Sequence, residues 1–248
     1  MSASDVACDY TVFPNSYSII TAFAEGYVTQ TLSKVWQELD FLNTCTEGAF
    51  RHVRMKIDTA MKKKASKVDV DKNESGWGSI IEGVVHDNPR KLRGARVDNL
   101  IFEECGSDRV LLDTYIQSQP LVDILGYRIG VRTTGGTGGD ESSALSGLKS
   151  IFYNPESYDV LPYKNNYGRS GETQFTGFFI PAYSLWFGKY DSRGVVDEEA
   201  AKAYYNDMFS KVKEPKDLIR KKAEYCFTPE DAFILEGQNN FDQEKLVD

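Results

Sequence analysis

Strand-like and helix-like hydrophobic patterns alternate along this chain, and the alternation limits its possible folds more than any other feature. Short segments typical of strands occur at residues 18–23, 79–85, 100–102 and 127–134. Apolar residues three and four positions apart, typical of amphipathic helices, occupy residues 28–42, and helical patterns return at 141–153 and 197–224. This order predicts an α/β fold with a mostly parallel sheet flanked by helices.

Other segments carry weaker local signals. Residues 10–15 predict an extended stretch with a turn at Pro14-Asn15. Residues 49–67 have apolar side chains at helical spacing and predict a second helix, or a helix and a loop. Residues 108–125 predict a helix interrupted before Pro120, and Thr228 predicts the N-cap of a short helix.

Composition excludes several classes of protein. The 248 residues are 41% apolar and 27% charged, which argues against disorder, and no apolar run is long enough to span a bilayer. Four scattered cysteines and two histidines argue against a zinc site. The net charge of −8 gives no general support to nucleic-acid binding, yet residues 51–67 contain seven Lys or Arg and one acid. Such a local basic segment can still bind phosphate backbones.

Two adjacent carboxylates, Glu103 and Glu104, directly follow the apolar run Leu100-Ile101-Phe102. This is the pattern of a Walker B segment, although its first acid is usually Asp. A carboxylate near a nucleotide helps hold Mg²⁺, and a second orients or deprotonates the attacking water. A solvated acidic pair at a strand end is the alternative.

A glycine-rich run, Thr133-Thr134-Gly135-Gly136-Thr137-Gly138-Gly139, follows the strand predicted at 127–134. Its glycines allow close approach of the backbone, and consecutive amides could cradle a phosphate. The run also suits a segment that senses nucleotide state and changes conformation. It is an incomplete match to the dinucleotide fingerprint GxGxxG, and a flexible surface loop is the alternative.

Basic side chains mark two candidate contacts with phosphates. Arg93 and Arg96 precede the acidic strand, and guanidinium groups form bidentate hydrogen bonds with phosphate. The candidate DNA-binding residues in the basic segment are Arg51, Arg54, Lys62, Lys63 and Lys64. Solvated basic surfaces are the alternative in both places.

Taken together, six segments resemble the ATPase region of phage terminase large subunits, the motors that package DNA into procapsids. The resemblance runs from about Tyr10 to Asp248, and the order and spacing of the segments carry it more than any one of them. They are residues 92–96, 100–106, 135–140, 151–155, 177–181 and 227–233.

The resemblance implies a P-loop-NTPase-like fold and a role for each motif. Glu104 falls at the catalytic carboxylate that activates water, and Glu103 at the position that helps hold Mg²⁺. The run from Thr133 to Gly139 falls at the coupling motif, which links ATP hydrolysis to movement on DNA. In ATPases of this type the strands before these two motifs are neighbours, so we expect the two acids to lie beside the glycine run at the carboxyl end of a central strand. The implied cofactors are ATP and Mg²⁺. The implied partners are double-stranded DNA, the portal, the small terminase subunit and further copies of the chain, with no membrane. The implied location is the host cytoplasm, for a phage-encoded protein.

Two features of the family are missing from the sequence. No GxxxxGK[ST] phosphate-binding loop occurs, and the nuclease domain with its metal-binding acids is absent. We therefore expect an ATPase-like domain over residues 1–226, truncated at its first strand and phosphate loop, and the start of a linker over 227–248. This suggests a fragment or split-gene product whose exposed sheet edge needs a partner segment or its own dimer contacts. The isolated chain is then expected to hydrolyse ATP very slowly or not at all.

Two other functions remain open at this stage. A noncatalytic DNA- or portal-binding assembly module would keep the fold without turnover, and the missing phosphate loop favours it for the isolated chain. A nucleotide-dependent oxidoreductase would use the glycine run, but the helix directly after the glycines is poorly placed for a dinucleotide.

Overall fold

The computed structural model describes residues 2–47, 54–137, 142–169 and 173–234. The chain divides into two compact units, residues 1–136 and residues 137–248. Gly138, Gly139 and Arg51 lie outside the described residues, as does most of the predicted linker, from 235 onward. The predicted domain boundary after residue 226 stays a prediction.

The N-terminal unit is built on a six-stranded sheet. Its strands are β1 Tyr17–Ala22, β2 Arg54–Asp58, β3 Lys62–Val68, β4 Glu74–Val85, β5 Asn99–Phe102 and β8 Val131–Thr134, and a separate hairpin contains β6 Asp123–Ile124 and β7 Tyr127–Arg128. The order across the sheet is β2-β3-β4-β1-β5-β8. Strand β1 pairs in parallel with β4 and β5, and β5 pairs in parallel with β8. Strands β2, β3 and β4 are joined antiparallel. The predicted α/β fold with a mostly parallel sheet is confirmed.

Helices cover both faces of the parallel strands. Helices α1 (Ser2–Val12) and α2 (Glu25–Cys45) pack on each other and on the face that carries Ile20 and Ile101. The opposite face carries Phe102, whose ring contacts Tyr115 of helix α3 (Leu111–Gln117) at a centroid distance of 5.7 Å. That side is completed by α4 Gln119–Val122, the hairpin β6–β7, and short 3₁₀ helices at Pro89–Leu92 and Cys105–Ser107.

Three local predictions were wrong. Residues 127–134 do not form one strand, because Tyr127–Arg128 pairs with Asp123–Ile124 in the hairpin and only Val131–Thr134 joins the six-stranded sheet. Residues 10–12 belong to helix α1, because Val6 and Tyr10 are buried on the same helical face against α2. The described part of the basic segment forms strands β2 and β3, not a helix. The Thr59 amide donates to the Lys62 carbonyl at 2.9 Å and closes a turn there, and β3 then takes its backbone partners from β4.

The C-terminal unit is mainly helical. Its aromatic core joins Tyr183, Tyr205 and Phe227. Thr228 caps the last helix through a capping box with Asp231, as its sequence predicts, and Arg169 pairs with Asp231 at 2.6 Å. The elements are α5 Ser142–Tyr153, β9 Tyr163–Asn165, β10 Gln174–Thr176, α6 Glu198–Ser210, α7 Pro215–Glu224, α8 Pro229–Ala232, and 3₁₀ helices at Pro155–Tyr158 and Ala182–Leu185.

Candidate active site

The two predicted carboxylates and the glycine run meet at the carboxyl ends of neighbouring strands. Strand β5 ends at Phe102 and continues directly into Glu103 and Glu104. Its parallel neighbour β8 places Thr134 opposite Phe102 and then continues into Gly135. The predicted adjacency of the acids and the glycine run is confirmed, and it lies at the edge where open α/β sheets bind ligands.

Backbone hydrogen bonds tie the two segments together beyond the strands. The Gly135 amide donates to the Phe102 carbonyl, and the Cys105 amide donates back to the Gly135 carbonyl, each at 3.0 Å. On the other side, the Glu103 amide donates to the Thr21 carbonyl at 2.9 Å. The acidic pair is therefore held by backbone hydrogen bonds on both sides.

Glu104 has a left-handed backbone, with φ 51° and ψ 44°. Only glycine adopts this region freely, and another residue there costs about 1–2 kcal/mol. The neighbouring hydrogen bonds impose this conformation, which ends β5 and starts the short helix Cys105–Ser107. Strained backbone conformations cluster at functional sites. Here the strained residue carries a carboxylate and directly follows the end of β5.

Burial raises the pKa of the Glu103 carboxyl, and the charge of Glu104 raises it further. Lys34 and a hydrogen bond from the Thr31 hydroxyl, both on α2, act in the opposite direction. Two repelling carboxylates, one of them largely removed from water, form a site that a divalent cation would stabilise.

Gly136 packs against the backbone of the carboxylate segment. A Cβ at this position would lie 2.7 Å from the Cys105 amide nitrogen and 2.9 Å from that of Gly106. These neighbours are main-chain atoms and cannot swing aside as a flexible side chain would. A Cβ at Gly135 would meet nothing within 4 Å, so the two glycines have different roles.

We expect Gly136→Ala to destabilise the N-terminal unit by about 1–3 kcal/mol, the cost of forcing extra volume into a packed site. The matched change Gly135→Ala should stay within about 0.5 kcal/mol. Urea unfolding of both variants measures the difference. Equal stability of the two variants would show that Gly136 is not needed for close packing against Cys105.

A fully buried polar network lies beneath the same edge of the sheet. His86, one residue beyond β4, places Nε2 at 2.6 Å from Asp108 Oδ2 and Nδ1 at 2.7 Å from Thr21 Oγ1. Thr21 lies on β1 and donates to the Val84 carbonyl at 2.7 Å, and Asp108 accepts from the Val110 amide. The network joins the ends of β1 and β4 to the loop that follows Glu104.

The basic residues predicted to contact phosphate or DNA lie away from the two carboxylates. Arg96 precedes β5 whereas the carboxylates follow it, so they occupy opposite ends of that strand, and Arg93 bonds Gln117 at 2.8 Å. On β3, every lysine of the run is paired with a carboxylate: Lys62 with Glu82, Lys63 with Asp58 and Lys64 with Glu74. Lys63 is also buried, with its ammonium over the Trp36 ring. Arg54 lies on β2, and the roles of all these residues stay predictions.

Sequence reasoning missed four residues that shape the site. They are Thr31 and Lys34 on α2, and the buried pair His86 and Asp108. The helical pattern predicts α2 but not which of its polar residues face the end of β5. His86 is one of two histidines in the chain, and no local pattern connects it with an aspartate 22 positions later.

The donors present fit part of a magnesium–nucleotide site. Among the described residues, no three His, Cys, Asp or Glu side chains come together as a metal site. Mg²⁺, however, is commonly held by one or two carboxylates together with water and substrate phosphates. Glu103 and Glu104 match that donor set, whereas the 248-residue sequence contains no phosphate-binding GxxxxGK[ST] loop.

Among helices in the described ranges, none has the length and apolar character needed to cross a bilayer.

Comparison with solved structures identifies the architecture. The ATPase domain of the Thermus phage P74-26 large terminase matches at a TM-score of 0.55, with 12% identity over 92% of this chain and 82% of that one. A mutant of the same domain matches at 0.59, with the same identity and coverage. The chain has the fold of a phage large-terminase ATPase domain. The large terminase of bacteriophage HK97 also matches, at a TM-score of 0.47 and 8% identity over 90% of this chain and 42% of that one.

The likeness to terminase ATPase domains is confined to structure. No protein-family model matches the chain, and no curated protein matches it. At 12% identity, the shared terminase ATPase fold establishes the arrangement of strands and helices and leaves the activity to be argued from the site.

Proposed function

We propose that this chain is the core of a terminase-like motor ATPase that drives double-stranded DNA into procapsids. The observation that carries the proposal is the meeting of Glu103 and Glu104 with the glycine run across β5 and β8. A motor needs a carboxylate pair for nucleotide chemistry and a neighbouring segment that responds to it. Here Gly135 is bonded directly to the carboxylate segment. The terminase ATPase fold supports the same function.

In this proposal Glu104 acts as the general base for water, and Glu103 holds Mg²⁺ through its carboxylate. When bound there, Mg²⁺ would neutralise charge on the phosphates of ATP. Lys34 lies close enough to Glu103 to influence its ionisation and contributes positive potential at the site. The segment from Thr133 to Gly139 couples the nucleotide state to DNA movement.

A second polypeptide segment that completes the site is part of the same proposal. Strand β8 is the last strand in the sheet and pairs with β5 alone among the described strands. Val131 on β8 is 54% exposed, although parallel strands are usually buried on both faces. We propose that a segment carrying the phosphate-binding loop, encoded upstream, adds to this edge and brings its amides to the carboxylates.

The test is DNA-stimulated ATP hydrolysis by the chain alone and by the chain mixed with the polypeptide encoded immediately upstream. We expect little or no turnover from the chain alone and turnover from the mixture. A phosphate-loop polypeptide that binds this chain without producing turnover would contradict the motor function.

The portal and the small terminase subunit are the proposed assembly partners. In the same proposal the working motor contains several copies of the chain.

The proposed binding of DNA by the lysines of β3 leads to a separate prediction. We expect Lys62/Lys64→Ala to weaken binding to duplex DNA and to reduce the slope of log affinity against log salt, by about 0.9 for each DNA phosphate that the variant no longer neutralises. Lys63 is left intact because it is buried. Wild-type affinity should fall within about 10⁻⁴–10⁻⁶ M, because both lysines must exchange carboxylate partners for phosphates.

Filter binding or fluorescence anisotropy over a salt series measures this effect. The matched control is Lys213/Lys216→Ala, which removes the same charge from exposed positions in the C-terminal unit. If both double variants change affinity and salt slope equally, β3 has no special role in gripping DNA.

One observation favours the second candidate function, a noncatalytic DNA- or portal-binding assembly module. The 248 residues contain no GxxxxGK[ST] loop that would cradle a phosphate. This function predicts partner binding that is unaffected by Glu104→Gln and no turnover with any complementing segment.

A further inference from the structure

The imidazole ring of His86 is completely buried, and both of its nitrogens have polar neighbours. Nε2 lies 2.6 Å from Asp108 Oδ2, and Nδ1 lies 2.7 Å from Thr21 Oγ1. Thr21 is fully buried, and Asp108 is buried with it. Because water does not reach these groups, their hydrogen bonds must be satisfied within the network itself.

The hydroxyl of Thr21 has a single hydrogen, and its neighbours show where that hydrogen is used. Thr21 Oγ1 lies 2.7 Å from the carbonyl oxygen of Val84, which can only accept. The hydroxyl therefore donates to Val84. The contact between Thr21 Oγ1 and His86 Nδ1 then needs a hydrogen on the imidazole, so Nδ1 donates to the hydroxyl oxygen.

The contact of the other ring nitrogen also requires a hydrogen. Asp108 Oδ1 accepts from the Val110 amide at 2.9 Å, an interaction that favours the ionised carboxylate. An ionised carboxylate has no hydrogen to donate, so Nε2 must donate to Asp108 Oδ2. A neutral imidazole carries one ring hydrogen, whereas this network uses two.

We propose that His86 is a buried imidazolium in an ion pair with Asp108, and that this pair positions the carboxylate segment in a proton-dependent way. The Thr21 carbonyl accepts from the Glu103 amide at 2.9 Å, and Asp108 follows Glu104 in the same loop. Loss of the proton would leave two buried acceptors facing each other without a hydrogen. His86 is thus a positioning residue, and its charge does not depend on ATP hydrolysis by the chain.

The titratable groups around the network favour a cation at this place. Burial raises the pKa of the Cys105 thiol, and the charges of Asp108, Glu103 and Glu104 raise it further. The thiol therefore stays neutral while three carboxylates lie near it, which favours a positive charge on the ring. The charged residues of the adjoining segments are exposed, where water and salt screen them: Asp87, Arg90, Lys91, Arg109 and Asp113.

Nitrogen-15 NMR of the full chain tests the charge of the ring directly. The sequence contains two histidines, so His52→Gln leaves the imidazole signals of His86 alone. An ordinary histidine has a pKa of about 6.5 and is mostly neutral at pH 8. We expect both ring nitrogens of His86 to carry a proton at pH 8. A ring with one protonated and one bare nitrogen at that pH overturns the proposal.

The pH dependence of stability distinguishes a charged histidine from one that is merely buried. Above about pH 7.5 an unfolded histidine has lost its proton, whereas the folded network keeps it, so stability falls as the pH rises. One such proton raises the unfolding equilibrium constant about tenfold per pH unit. Urea unfolding at pH 7.5 and 8.5 should show this additional change in wild type but not in His86→Gln.

Parallel pH dependence of wild type and His86→Gln overturns the proposal. If His86→Gln does not fold, Asp108→Asn takes its place, because it removes the anion that holds the proton and should show the same difference from wild type.

Amide hydrogen exchange tests the positioning role. The Glu103 amide is bonded to Thr21, whereas the Ile80 amide is bonded to the Ser16 carbonyl at the other end of β1. His86→Gln should accelerate exchange at least about tenfold more at Glu103 than at Ile80, the effect of losing a buried hydrogen bond locally. Equal acceleration at the two amides would mean that His86 contributes to overall stability alone, and it would overturn the positioning role.

Discussion

Glu104→Gln should lower ATP turnover at least about 100-fold once the phosphate-binding segment is supplied by a second polypeptide. General bases typically contribute 10²–10⁴-fold, and glutamine cannot accept the proton from the attacking water. Glu104 follows β5 directly, and its left-handed backbone is held by the hydrogen bonds around Cys105. Steady-state phosphate release from the complemented chain measures the effect.

Glu47→Gln is the matched control for this prediction. Glu47 is also a glutamate with a positive φ, 52°, but it is exposed at the end of α2. The same chemical change in the same backbone conformation should leave turnover unchanged. Full activity of Glu104→Gln would exclude Glu104 as the base, and robust turnover by the uncomplemented chain would reveal a phosphate site of another kind.

Asp108→Ala should reduce the free energy of unfolding by about 2–5 kcal/mol. It removes the partner of His86 Nε2 and of the Val110 amide. Each buried polar group left without a partner costs about 1–3 kcal/mol, and the deleted carboxylate also leaves a small cavity. His86 is fully buried and its ring packs edge-on against Phe102, so water cannot replace the missing hydrogen bond without opening the site.

Urea unfolding measures this decrease, with Asp113→Ala as the control. Asp113 is an exposed aspartate in the first turn of α3, five residues from Asp108, and its replacement should cost less than about 0.5 kcal/mol. Equal stability of the two variants would mean that the His86–Asp108 contact adds nothing to the fold.

The sequence predicted reliably those features that depend on residues close together along the chain. Apolar periodicity placed β1, α2 and β5 close to their observed positions, and the pair Glu103-Glu104 necessarily follows an apolar strand. The adjacency of β5 and β8 was also predicted, from the resemblance to ATPases in which these two strands are neighbours.

The basic segment shows where such reasoning fails. Ile57 and Met61 are four residues apart, which fits a helix, yet residues 54–68 form two strands. The pairing partners of β3 lie on β4, with Lys64 opposite Ile80, and its lysines find carboxylates on both neighbouring strands. Helix periodicity in a short segment is outweighed when the sheet offers backbone hydrogen bonds and charge partners.

The amino-acid sequence alone established an α/β chain with two carboxylates after a strand and a glycine run after the next one. Local periodicity and strand order are sufficient for that. The folded chain was needed to show that Gly136 packs on the Cys105 amide, that Thr31 and Lys34 influence Glu103, and that His86 is bonded to Asp108. Each of these contacts joins residues from separate elements. Their existence depends on how helices and strands pack in three dimensions, for which the spacing of residues along the chain carries no signal.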